Sequence, residues 1–367
     1  MSISELPALR IAGLKIDPPI IQGGMGVSVS RANLAAAVAD EGCAGTIASV
    51  GLGRFDDFSS THSVQLQQDD DALRFEIRKA RSLSKGVIGV NVMVALTNYA
   101  NLIKVAVEEE IDFIVSGAGL PLELPSLVQT RDIALIPIVS SGKALKVICS
   151  RWIKSADRLP DAVVLEGPKA GGHLGFKHEE LEEGSEKGLE QLLADVVEEA
   201  RKYDPPIPVI AAGGIYTGED IARLIDQGAA GVQMATRFVC THECDVDDGF
   251  KQAYVNATEA DIAIIHSPVG MPARVIRNAF VDRINRGETM PFKCDFQCLR
   301  TCDPNTAPYC IAEVLNMASK GKMDESFAFS GSNSPRIKEI VSVKELVAQL
   351  VAEAKAYYAS RTAAAVV

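Results

Sequence analysis

A histidine set among glycines is the side chain of this sequence best suited to proton transfer. In EGPKAGGHLG (166–175), Gly171 and Gly172 precede His173 and Gly175 follows it. Imidazole exchanges protons near neutral pH or hydrogen-bonds a developing anion. Glycines remove side-chain bulk, so backbone can approach a ligand closely. The plain alternative is a loop histidine that only touches phosphate. His62 and His178 lie in polar loops, His242 and His266 in irregular sequence, and none has this glycine setting.

Other short stretches carry complementary chemistry. Gly213 and Gly214 end an apolar run (AAGGI) just before a helix starting near Thr217. Their N–H groups and the helix N-terminus suit an anion such as phosphate. Ala235 and Thr236, in QMATRF, add N–H donors and a hydroxyl. In QGGMG, Gly24 lies beside Met25, which leaves room for a flat ligand. Asn91 offers an amide to the edge of a heterocycle, or caps a turn. Lys143 places a cation at a helix start, suited to the N1/C2=O edge of a flavin, or is a solvated surface charge.

These residues share a context: each follows a short apolar run. Eight runs occur, at 18–26, 44–51, 86–94, 112–119, 134–141, 161–168, 205–215 and 229–238. Consecutive apolar positions suit parallel strands buried on both faces. Amphipathic stretches lie between them. SRANLAAAVADEG (30–42) opens on Ser30 as a plausible N-cap, and TGEDIARLIDQG (217–228) carries a Thr217/Asp220 capping box. Eight strand–helix units predict an α/β fold of the (β/α)8 TIM-barrel type rather than a doubly wound sheet. Barrel strands end at the active face, so His173, Asn91, Lys143 and the glycine pairs converge there. The helix that should follow the eighth strand is delayed until 341–359. Residues 1–238 and 341–367 are therefore read as the barrel, with 239–340 as an inserted lid or substrate subdomain and 361–367 as a tail.

The chain of 367 residues carries a net charge of −11 with 47% hydrophobic and 23% charged residues. That acidity argues against nucleic acid or an anionic membrane as partner. No apolar run reaches a membrane span, and the N-terminus lacks a secretory pattern, so a cytoplasmic location is expected. In a reducing compartment the eight cysteines are thiols or ligands. Cys294, Cys298, Cys302 and Cys310 form C-x3-C-x3-C-x7-C. Four thiolates hold zinc or an iron–sulfur cluster in other proteins. If helical, the first three share one face; otherwise they are packed thiols, and no metal is the default expectation. Cys240, His242 and Cys244 form a weaker set.

PPIIQGGMG, GVNVMV, EGPKAGGHLG, PVIAAGGI, GVQMATRF and SPVGMPARVIRNAF together resemble the nitronate monooxygenase family, formerly called 2-nitropropane dioxygenases. Flavin-dependent enoyl-ACP reductases and some NADH:quinone reductases are similar in barrel. The resemblance covers residues 15–285. It implies bound FMN, with Gly24 and Met25 against the flavin and Asn91 and Lys143 at its polar edge. Gly171 and Gly172 would line the cofactor, and Gly213, Gly214, Ala235 and Thr236 would hold its phosphate. His173 matches the family's active-site histidine, the base for neutral nitroalkanes. The implied reaction turns an alkyl nitronate and O2 into a carbonyl compound and nitrite, and a homodimer is left open. Where the family commonly has an acidic or small residue, this chain has Pro168-Lys169. Two other functions stay open: an NAD(P)H-dependent FMN reductase acting on enoyl-ACP or quinone, and a non-catalytic barrel that binds a phosphate ligand.

Overall fold

The computed structural model describes residues 6–53, 62–294 and 296–364. Eight parallel strands close into a barrel: β1 (Ile20–Gln22), β2 (Ala44–Ala48), β3 (Val87–Met93), β4 (Phe113–Gly117), β5 (Ala134–Val139), β6 (Val163–Glu166), β7 (Val209–Ala212) and β8 (Gly231–Met234). Closure comes from the pairing of β8 with β1, Val232 opposite Ile20. The (β/α)8 expectation therefore holds.

The apolar runs explain this architecture. Every residue of β2 (AGTIA) and β4 (FIVSG) is buried. One set of side chains fills the barrel interior and the other meets the surrounding helices. Phe113, Val115, Ile136, Val164 and Ile210 form the interior cluster. A hairpin of Leu9–Ile11 and Leu14–Ile16 contributes Leu9, Ile11 and Ile16 to that same cluster.

Helix starts follow local chemistry, with one correction. Thr217 caps the helix Gly218–Asp226, and the Asp220 carboxylate accepts the Thr217 N–H, completing the capping box. The expected Ser30 cap is not made. Helix Ala32–Asp40 begins after Arg31 without a side-chain cap. Ser30 is buried, and its hydroxyl instead accepts the Met25 N–H and the Gln22 side-chain amide. It fastens the loop after β1.

Residues 239–340 leave β8 and cross the C-terminal face of the barrel. They contain the helices Asp248–Asn256, Ala279–Asn285 and Ile311–Ser319, and a hairpin of Ile262–His266 with Pro272–Ile276. Its apolar residues, among them Phe250, Phe280, Tyr309 and Phe327, join the same cluster as the barrel helices. The closing helix runs from Val343 to Ala364. The expected tail is thus helical through 364, in keeping with the high helix propensity of its alanines; the last three residues lie outside the described ones. This helix packs on Gly218–Asp226, where Glu353 accepts the Gly218 N–H at 2.7 Å.

A Cβ at Gly218 would overlap the carbonyl oxygen of Leu350, a backbone atom that cannot swing aside. Overpacking of this kind costs about 1–3 kcal/mol. Gly218→Ala should lower the urea midpoint by a corresponding amount, and an unchanged midpoint would show that the closing helix is not docked there.

Candidate active site

Ten of the eleven residues proposed from sequence line one cavity of about 480 Å³ at the C-terminal mouth of the barrel. They are Gly24, Met25, Asn91, Gly171, Gly172, His173, Gly213, Gly214, Ala235 and Thr236. Lys143 is the correction. It is exposed on helix Gly142–Ala156 and does not line the cavity, although Ser140 and Ala144 beside it do. Ser141 caps that helix through the Ala144 N–H, and this start leaves Lys143 on the outer side.

Glycines shape the floor because side chains would not fit. A Cβ at Gly171 would lie 2.5 Å from the Gly331 nitrogen. Gly213 and Gly214 both have positive φ, near 92° and 84°. That left-handed turn is strained for other residues. Neither donates its N–H to a backbone carbonyl among the described residues. The helical turn Thr236–Val239 starts alongside. Two unused donors beside a hydroxyl fit a phosphate group. Lys169 packs its side chain against Gly214 and also lines the cavity, so a cation stands at the same end.

A loop that sequence reading missed closes this end. Ser330, Gly331 and Asn333 line the cavity. The Gly331 N–H donates to the Thr236 hydroxyl at 3.2 Å, the Ser332 N–H to the Lys169 carbonyl at 3.2 Å, and the Asn333 amide to the Gly214 carbonyl at 2.6 Å. The stretch SGSNS (330–334) is small and polar, which signals a loop, but nothing local says what it touches.

His173 is held by the insertion. Gly172 and His173 form a short strand antiparallel to the hairpin, pairing with Arg274 and Ala273. The Arg274 guanidinium, itself buried, donates to the carbonyls of Pro168 and Ala170, both at 2.6 Å. Nε2 of the His173 ring lies 2.8 Å from the Ser267 hydroxyl, which also accepts the Val269 N–H at 3.3 Å. Phe329 meets the ring edge-on at 4.9 Å. Nδ1 has no hydrogen-bond partner among the described residues. Burial lowers His173 to about 4, so the ring is neutral at physiological pH.

Apolar side chains are prominent among the other lining residues of the cavity. Leu96, Leu102, Phe250, Phe296, Leu299 and Leu315 form much of its upper wall. Two carboxyl groups interrupt the lining. Asp69 accepts hydrogen bonds from Gly53, Gln65 and Asn98, yet burial still raises it to about 6. Glu166, at the end of β6, is raised to about 7 by burial alone.

The cysteines are arranged otherwise than a helical ligand set. Residues 291–310 contain no helix among the described positions, so Cys294, Cys298 and Cys302 do not share a helix face. Cys298 reaches the cavity wall, and burial pushes its thiol up to about 12 and that of Cys310 to about 11, which favours the protonated form. Cys240 and Cys244 are buried and donate to the carbonyls of Lys251 and Val29, whereas His242 is exposed, so those three do not converge. Among the described residues no group of three His, Cys, Asp or Glu side chains is placed to hold a metal. None of the described helices is long and apolar enough to cross a membrane.

The family model for nitronate monooxygenase matches residues 8–105 and 95–353. A "probable nitronate monooxygenase" of Staphylococcus aureus (strain Newman) is 29% identical over 309 residues, covering 75% of this chain and 79% of that protein. A (3aS,4S,5R,7aS)-5-hydroxy-7a-methyl-1-oxo-octahydro-1H-indene-4-carboxyl-CoA dehydrogenase of Rhodococcus jostii (strain RHA1) is 28% identical over 275 residues, covering 75% of this chain. The match spans about two thirds of that dehydrogenase, 67%, and 66% of its Mycobacterium tuberculosis counterpart. The structure of FabK from Thermotoga maritima superposes with a TM-score of 0.74 at 29% identity, covering 95% of this chain and 96% of that one. Nitroalkane oxidase from Streptomyces ansochromogenes shares the fold, with a TM-score of 0.72 at 23% identity over 93% and 97% of the two chains.

The neutral His173 makes a pH prediction. Its folded value lies below the ordinary one near 6.5, so the unfolded chain binds a proton that the folded chain refuses. The stability this contributes is complete above roughly pH 6.5 and is lost as pH falls toward roughly 4. The loss is on the order of 3 kcal/mol. Guanidinium unfolding of His173→Asn should show a shallower decline than the wild type across that window, and identical declines would refute a buried neutral histidine.

Proposed function

The chain belongs to the nitronate monooxygenase family, and on that premise we propose that this oxidoreductase binds FMN and oxidises alkyl nitronates with O2 to a carbonyl compound and nitrite. One observation carries the reading: a neutral, hydrogen-bonded His173 lines the same cavity as a phosphate-type floor.

The residues fit an FMN. Gly213, Gly214, Thr236 and the Gly331 loop would take its phosphate, with Lys169 supplying positive charge at that end, while Lys143, exposed on its helix, would not reach the flavin's polar edge. Gly24, Met25, Gly171 and Gly172 would lie along the ring system. Asn91, whose side-chain amide has no partner among the described residues, would meet its polar edge. When bound, the flavin supplies the electron-accepting and oxygen-reacting chemistry.

The chain's own part is proton control and exclusion of water. For a neutral nitroalkane, His173 would keep its proton on Nε2, donated to Ser267 Oγ, and accept the substrate α-proton at Nδ1. For a nitronate, already deprotonated, it would only orient and hydrogen-bond the anion. The apolar upper wall keeps water from the reacting carbon.

The test is anaerobic mixing of the purified yellow protein with propionate 3-nitronate, and separately with NADH or NADPH. Flavin spectral change with the nitronate, followed by nitrite on admitting air, is expected. His173→Asn should cut kcat/KM for a neutral nitroalkane by about 10²–10⁴-fold and affect the nitronate much less. Equal losses would remove the base assignment.

A second reading is favoured by the extent of the apolar wall and by the dehydrogenase relatives. A bulky apolar acyl group fits that wall better than a small nitronate uses it. Rapid flavin bleaching by NADH or NADPH alone, with no nitrite from the nitronate, would favour the reductase reading.

A further inference from the structure

Glu166 is an ionisable group of this cavity to which the proposed chemistry gives no task. It ends β6, opposite Ala212 of β7 and beside the Val139–Ser140 end of β5, so neither neighbouring strand offers it a charge. Its side chain lines the cavity. It has no hydrogen bond or ion pair among the described residues. On the outer side of β6, helix Leu189–Ala200 turns its carboxylates elsewhere: Glu190 pairs with Arg223, Asp195 with Lys187 and Glu199 with Lys202, while Glu198 is exposed. The other titratable groups of the lining are Asp69, Lys169, His173, Tyr216, Arg237, Tyr254 and Cys298. None of them shifts Glu166, whose only perturbation is burial.

An unpartnered carboxyl in such a place responds to whatever fills the cavity. Negative charge arriving nearby in a low-dielectric space disfavours its ionised form. We propose that Glu166 takes up one proton when negative charge accumulates in this cavity, whether on an anionic ligand or on the reduced flavin, and releases it when that charge leaves. Two electrons entering the cofactor would thus be accompanied by one proton on the Glu166 carboxylate beyond any the cofactor binds itself. His173 and Glu166 then divide the work. The first is a free base at neutral pH, and the second is a proton store poised there.

This inference rests on flavin binding but not on the nitronate reading, so the two fail separately. The flavin-loaded protein and its Glu166→Gln variant are titrated to their midpoint potentials over roughly pH 6 to 9. Glutamine imitates the neutral acid. Above the raised carboxyl value the wild-type line should be steeper than the variant line. One extra proton per two electrons is a tenfold change per pH unit, or about 30 mV. Parallel lines overturn the proposal, whatever the nitrite assay shows.

A second measurement needs no cofactor or substrate. A carboxyl raised in the folded state holds a proton that the unfolded chain has lost, so wild-type stability falls between its unfolded and folded values and then levels. Glu166→Gln should melt close to the wild type near pH 4.5 and clearly above it near pH 8. Coincident melting at both pH values overturns the buried, unpaired carboxyl on which the proposal stands.

Discussion

The cavity depends on one short piece of sheet. Gly172 and His173 would be free loop residues if the hairpin from the insertion did not pair with them. Arg274, on that same hairpin, gathers the Pro168 and Ala170 carbonyls. Together these bonds turn a glycine-rich segment, which has high conformational freedom, into a fixed platform. A proton-transfer group works only when held in hydrogen-bond reach of its substrate. Residues from 239–340 thus line part of the cavity and hold His173 in place. Ser267 comes from the same hairpin region and orients the imidazole.

The electrostatic character of the cavity follows from this enclosure. Burial disfavours charge, so it lowers His173 and raises Glu166 and Asp69. The same physical cause keeps one group a neutral imidazole and makes the other a reluctant anion. Positive charge is kept at the end where Lys169 lies against Gly214. The separation suits a ligand with an anionic tail and a flat body. Loop 330–334 is fastened to that end through Thr236 and Gly214.

Thiols in the cover illustrate how tertiary packing selects among chemistries that spacing leaves open. A four-residue spacing would align Cys294, Cys298 and Cys302 on a helix. Proline and other helix-poor residues leave 291–310 irregular, and the helix starts only at Ile311. Cys298 then becomes part of an apolar wall beside Leu299 and Phe296.

Periodicity alone was enough for the barrel. Eight consecutive-apolar runs alternating with amphipathic stretches, the last of them delayed to the closing helix, have few other solutions that bury both faces of every strand. Thr217 and Asp220 were legible for a similar reason: a capping box is local, spanning four residues. Glycines and His173 were legible because strand ends of such a barrel converge on one face. Contacts between distant segments were not. Lys143 and Lys169 each stand beside an expected ligand site in sequence, and only the direction of their backbones decides that Lys169 lines the cavity and Lys143 does not. Ser30 looks like a cap, but burial gives its hydroxyl to Met25 and Gln22 instead. The pairing of residues 172–173 with 273–274 spans about a hundred positions, and no local pattern encodes it. Sequence determines which elements form because propensity and periodicity act over a few residues. Which side chains share a cavity is decided by packing across the whole chain, and so only the tertiary structure contains it.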